Sequence, residues 1–104
     1  MSRWPDLGVQ LERALVRSAA DAGFALAVTA ATATPWASVT FTGARHRLTL
    51  TAVPSPSLDA WLASLPEAEF RPRGHLVADL SVVGTAHAAE RIEIILELLT
   101  VEDC

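Results

Sequence analysis

The segment from Trp36 to Ala52 constrains the fold more than any other part of the chain, because polar and apolar residues alternate along it on both sides of Gly43-Ala44. Alternation is typical of strands with one covered face, and Gly-Ala suits the two-residue type II′ turn of a β-hairpin. We therefore predict a hairpin in which Thr42 pairs with Arg45. Its core face would carry Ala37, Val39, Phe41, His46, Leu48, Leu50 and Ala52, and its polar face Trp36, Ser38, Thr40, Thr42, Arg45, Arg47, Thr49 and Thr51.

Hydrophobic periodicity predicts the elements before this hairpin. Leu7, Leu11 and Leu15 recur at helical spacing, which predicts a helix from Leu7 to Ala22 that ends at Gly23. Larger and smaller residues then alternate from Phe24 to Ala33, and this pattern predicts a first strand. The hairpin strands would follow it as the second and third strands.

After the hairpin, Ser55-Pro56 marks the start of a second helix and Pro66 its end. A fourth strand is expected from His75 to Val83, and a final helix from about Ala86 to Thr100. Together these elements predict one α+β domain over residues 1–104, of order α-β-β-β-α-β-α. Its architecture would be a two-layer sandwich, with a mostly antiparallel four-stranded sheet and the helices on one face.

The predicted order is similar to that of the small bacterial secretion chaperones. The resemblance lies in topology and involves no sequence motif. Members of that family are acidic dimers, so the resemblance implies a small acidic protein that works as a dimer.

Composition excludes several classes of function. Hydrophobic residues make up 51% of the chain and charged residues 19%, which argues against disorder and favours association. The net charge is −4 and the eight basic residues, all arginine, form no stripe, so we expect no binding to nucleic acid. The absence of lysine and the abundance of alanine indicate a bacterial genome of high GC content.

The apolar run from Phe24 to Ala31 is too short to cross a bilayer. It also begins too late, after Asp6, Glu12 and Asp21, for a signal peptide, so the sequence predicts neither. A single cysteine, Cys104, permits no intrachain disulfide. We therefore expect a cytoplasmic protein in a reducing compartment.

Basic and aromatic side chains gather on the polar face of the predicted sheet. Arg45 and Arg47 point the same way on one strand, and His75 and Asp79 point the same way on another. If these strands are close, the four side chains form an anion pocket near Trp36, in which arginine binds a carboxylate or phosphate and Asp79 orients His75. The alternative is a surface ion pair between Arg47 and Asp79.

The predicted final helix offers a second surface. Ile94, Leu98 and Val101 form an apolar stripe separate from its core arc, and one helix face cannot account for both. This stripe is expected either to pack on the first helix or, together with Trp36, to form an oligomer interface.

The sequence carries no motif that names a reaction. His87 and Glu90 lie one helical turn apart, but a metal site needs three or four donors, so we expect no metal and no cofactor. The sequence favours a small intracellular binding or assembly protein, homodimeric or bound to another protein, and non-catalytic. The alternative is a protein or enzyme that binds a small anion through Arg45, Arg47, His75 and Asp79.

Overall fold

The computed structural model describes residues 4–102, with side chains from Leu7 onward. These residues form two α-helices and four strands in the order α-β-β-α-β-β. Their bounds are α1 Trp4–Asp21, β1 Ala27–Ala37, β2 Thr42–Ala52, α2 Pro56–Ser64, β3 His75–Ala88 and β4 Arg91–Glu102, with a short 3-10 turn at Leu65–Glu67. The strands form one sheet of order β1-β2-β4-β3, in which every neighbouring pair is antiparallel.

One buried cluster holds the two layers together. Leu7, Leu11 and Leu15 of α1 pack with Leu58 and Trp61 of α2 on a single face of the sheet. The sheet contributes alternate residues of its two central strands: Leu48, Leu50, Ala52, Ile92, Ile94, Leu96 and Leu98. The predicted α+β class, the four-stranded antiparallel sheet and the helices on one face are therefore confirmed.

Both helices have the terminal signals that the sequence predicts. At the end of α1, Gly23 has a φ of 101°, and the amide of Phe24 donates to the carbonyl of Ala19, which is the hydrogen bond of a Schellman cap. At the start of α2, the hydroxyl of Ser55 accepts from the amide of Leu58 at 3.0 Å. These caps set where each helix meets the sheet.

The predicted hairpin turn at Gly43-Ala44 is wrong. The chain reverses earlier, at residues 38–41, where the amide of Ser38 donates to the carbonyl of Phe41 at 2.7 Å. Gly43 and Ala44 lie inside β2, and the segments predicted as the first two strands form one strand, β1. Val39 and Phe41, predicted as core, are exposed at this hairpin tip, whereas Ala44 is buried.

The predicted final helix is also wrong, since those residues form the end of β3 and most of β4. A two-residue turn at 89–90 joins the strands, with Ala88 paired to Arg91. Ala89 takes a φ of 55° there, as the first central residue of a type II′ turn does. Because β4 lies between β2 and β3, its apolar residues line both faces of the sheet.

Candidate functional site

The sheet face opposite the helices is not covered by any other element of residues 4–102. We call it the open face. Five cross-strand rows build it, each read in the order β1, β2, β4, β3: Ala27-Thr51-Glu93-Ala86, Ala30-Thr49-Ile95-Gly84, Thr32-Arg47-Glu97-Ser81, Thr34-Arg45-Leu99-Asp79 and Trp36-Gly43-Val101-Leu76. The row of Ala30, Thr49, Ile95 and Gly84 carries small and medium side chains, which leave room for another layer to pack on the sheet.

One end of the open face is apolar. Its last row, which we call the apolar band, holds Trp36, Gly43, Val101 and Leu76. Leu76 is 55% exposed, and the Nε1 atom of Trp36 is shielded from solvent with no hydrogen-bond partner among the described residues. The part of the indole that solvent reaches is therefore hydrocarbon, as expected of an aromatic anchor.

Gly43 allows this band to form. A Cβ atom at position 43 would overlap the carbonyl oxygen of Thr100 and lie 3.0 Å from Cε2 of Trp36. The indole of Trp36 covers the glycine from the neighbouring strand, as aromatic side chains often do where a glycine leaves a gap in a sheet.

The centre of the open face is charged. Arg47 of β2 donates to Glu97 of β4 at 2.9 Å, and both side chains are about half exposed, at 58% and 46%. One row further along, Arg45 and Asp79 lie on either side of Leu99. A depression of about 310 Å³ lies among these side chains and also contacts Thr32, Thr34 and Ser81.

The structure separates His75 from the rest of the predicted anion cluster. His75 pairs with Glu102, on the helix side of the sheet, whereas Asp79 pairs with Leu99 on the open face. A β-bulge at Ala78 shifts the register between them, so the simple alternation assumed from sequence fails. Asp79 cannot orient His75. The predicted Arg47–Asp79 ion pair is likewise wrong, because β4 lies between the two strands and supplies Glu97 to Arg47.

The predicted interface stripe divides in the same way. Ile94 and Leu98 are 0% and 2% exposed and belong to the core, so they are unavailable to a partner. Val101, on the opposite side of β4, lies on the open face beside Gly43, in the same row as Trp36. Two of the four predicted interface residues therefore share one surface.

His46 lies on the helix side of β2, the face on which the alternation predicts it, and is only 4% exposed. Its Nε2 atom is 3.0 Å from the Thr100 hydroxyl, which itself donates to the carbonyl of Ala44 at 3.3 Å. Because that hydroxyl has one hydrogen, Nε2 of His46 must be the donor to it. Burial first, and the nearby His75 second, lower the pKa of His46 below 6.5.

Other kinds of site find less support in the described residues. Within residues 4–102, no three His, Cys, Asp or Glu side chains cluster closely enough to hold a metal ion. Neither α1 nor α2 is both long and apolar enough to cross a bilayer. Cys104 lies outside the described residues.

Comparison with protein-family models, with curated proteins and with solved structures finds no significant match to this chain. The similarity to secretion chaperones depended on a final helix, and β4 occupies that place in the chain. Topology therefore supplies no argument about function, and the open face has to be interpreted from its own chemistry.

Proposed function

We propose that this chain is a small, non-catalytic binding or assembly protein that forms a homodimer through its open face. The observation that carries the proposal is the apolar band: Trp36, Val101 and Leu76 meet in one row on a sheet face that no described element covers. An intracellular setting belongs to the same proposal, since the single cysteine of the sequence permits no intrachain disulfide.

The surroundings of the band support association. A central strand with apolar residues on both sides is typical of a sheet whose two faces are both buried. β4 is such a strand, because Ile95, Leu99 and Val101 lie on the open face while its core residues lie on the helix side. Leu76 is 55% exposed and lies in the same row as Trp36, and tryptophan is a residue type enriched in protein interfaces.

A small-anion site remains the second candidate. Arg45 lies beside the depression of about 310 Å³, where Thr34 and Ser81 could add hydroxyl donors. Against it, Asp79 and Glu97 line the same depression and would repel an anion. Thermal-shift measurements with phosphate and citrate test it: stabilisation of the wild-type protein that disappears in Arg45→Ala would favour the anion site.

The test of the dimer is the solution mass by gel filtration with light scattering at micromolar concentration, with reductant present. We expect twice the mass of one chain for the wild type. Leu76→Asp should give the mass of one chain, because a carboxylate in the apolar band would have to be desolvated. Val53→Asp is the matched control: Val53 is 58% exposed, lies in the β2–α2 connection, and should leave the dimer intact.

A wild-type mass of one chain across this concentration range would contradict homodimerisation. A dimer that survives Leu76→Asp would contradict the choice of the open face. Far-ultraviolet circular dichroism of each variant checks that the fold is retained.

A further inference from the structure

The charges of the open face are divided between its two halves. The β2 side carries Arg45 and Arg47, whereas the β4 and β3 side carries Glu93, Glu97 and Asp79. Among the described residues, Arg91 is the one basic residue on the acidic side. It lies at the start of β4, at the end of the face opposite the apolar band, and donates to the hydroxyl of Thr51. The boundary between the basic and acidic halves runs between β2 and β4.

This division makes the face complementary to itself. A twofold axis parallel to the strands, between β2 and β4, would lay each β2 residue over the β4 residue of the same row in a second copy. Arg47 would then face Glu97 of the second copy and Glu97 would face its Arg47, while Trp36 would lie over its Leu76. An axis across the strands through the middle row, which gives the same overlap of the two faces, would instead bring Arg47 over Arg47 and Glu97 over Glu97. Charge complementarity therefore selects one arrangement.

We propose, building on the function proposed above, that the occupant of the open face is a second copy of this chain stacked about that axis. The Arg47–Glu97 pairs of the two copies would then form one cluster of four alternating charges. At one end of the interface the apolar bands of the two copies would pack together, with Trp36 of each copy over Leu76 of the other. Stacked sheets rotate by about 30° relative to each other. Arg47 and Glu97 lie in the middle row, nearest the centre of that rotation, and keep their facing positions best.

The area of the face suits this arrangement. Four strands about 4.8 Å apart, with some ten residues each at about 3.3 Å, present on the order of 600 Å². Two such faces bury roughly 1,200 Å² in total, which is the lower end of the range for specific, stable interfaces. The small side chains of Ala30, Thr49 and Gly84 in the second row permit close approach of a second sheet.

The sheet edges suit a second copy less well. β1 carries a bulge at Thr29 and a proline at position 35, and β3 carries bulges at Ala78 and Val83. Bulges and edge prolines interrupt the row of backbone donors and acceptors that another strand would need. Stacking on the open face is therefore favoured over extension of the sheet.

Two charge reversals test the axis. Arg47→Glu alone places glutamate over glutamate twice in the proposed dimer, and Glu97→Arg alone places arginine over arginine twice. We expect each variant alone to dissociate at least tenfold more readily than the wild type. In an equimolar mixture of the two variants, opposite charges face each other again at both 47–97 contacts. The mixture should therefore form a heterodimer of near wild-type affinity. Analytical ultracentrifugation with one variant fluorescently labelled measures this affinity.

The mixture separates an interface effect from a folding effect. Each variant loses its own Arg47–Glu97 pair whether alone or mixed, so a folding defect would not be repaired by mixing. Arg13→Glu, at an exposed position of α1, is the control and should dimerise as the wild type does.

Three outcomes would overturn the proposed axis: single variants that dimerise normally, an Arg47→Glu dimer that is tighter than the wild type, or a mixture that fails to recombine. If Leu76→Asp is monomeric but the mixture does not recombine, the axis is wrong and the open face remains the interface. A wild-type monomer overturns both proposals.

Discussion

His46 makes the stability of this protein depend on pH. In the folded chain it is buried and donates to Thr100, and its pKa is lowered below 6.5, first by burial and then by the charge of His75. In the unfolded chain the pKa of His46 returns to about 6.5. The unfolded state therefore binds more protons as pH falls below about 6.5, and the free energy of unfolding decreases, with a slope of at most about 1.4 kcal/mol per pH unit.

We expect urea unfolding to give a lower free energy at pH 5.5 than at pH 7.5. His46→Gln keeps an N–H donor for Thr100 but cannot titrate, so its stability should change less over this range. His87→Gln, at an exposed position, should retain the wild-type dependence. Equal pH profiles for wild type and His46→Gln would contradict the role of His46.

Ala89 is strained by the turn that joins β3 to β4. Its φ of 55° lies in the left-handed region, which costs a residue with a Cβ roughly 1 kcal/mol relative to glycine. Ala89→Gly should therefore stabilise the protein by about 0.5–1 kcal/mol in chemical denaturation. Ala88→Gly, one residue earlier at the end of β3, should destabilise it instead, since strand residues lose entropy as glycine. Equal effects of the two substitutions would contradict this account.

At the level of the elements, β2 and β4 approach closely because position 43 is glycine. The Cβ of Gly43→Ala would overlap backbone of Thr100 in β4 and crowd the indole of Trp36. We expect the variant to lose about 2–3 kcal/mol of unfolding free energy by denaturant titration. Gly8→Ala, in α1 and away from the open face, has no atom within 4 Å of the added Cβ and should not lower the unfolding free energy. Similar losses in both variants would argue against a close contact at Gly43.

Alternation along β2 predicted the two faces of the sheet even though the turn was misplaced. Arg47 was expected opposite Thr40 and lies opposite Thr32. That displacement is eight residues, an even number, so each side chain keeps its face. Trp36, Arg45 and Arg47 therefore share the open face as predicted. His75 does not, because a bulge adds one residue and leaves no clear mark in a single sequence.

β4 was predicted as a helix from its hydrophobic periodicity. Its composition agrees with that pattern, because glutamate and leucine favour helices and the turn before it contains no glycine or asparagine. Two apolar stripes on one supposed helix were the signal against that interpretation. A strand in the centre of a sheet is apolar on both faces, and Ile92, Ile94 and Ile95 are β-branched residues that favour strands. Periodicity alone does not separate a buried helix from a buried central strand.

At the scale of the whole molecule, the two helices cover one face of the sheet. In the proposed dimer, the sheet of a second copy covers the open face. Dimerisation would link folding to concentration, because unfolding of a dimer releases two chains. Between about 2 and about 200 µM we expect the wild-type Tm to rise by roughly 5–10 °C by scanning calorimetry. Leu76→Asp, expected to be monomeric, should show a Tm independent of concentration, and Val53→Asp should follow the wild type. A wild-type Tm that stays constant over this range would mean that the open face of the sheet adds no stability through a second copy.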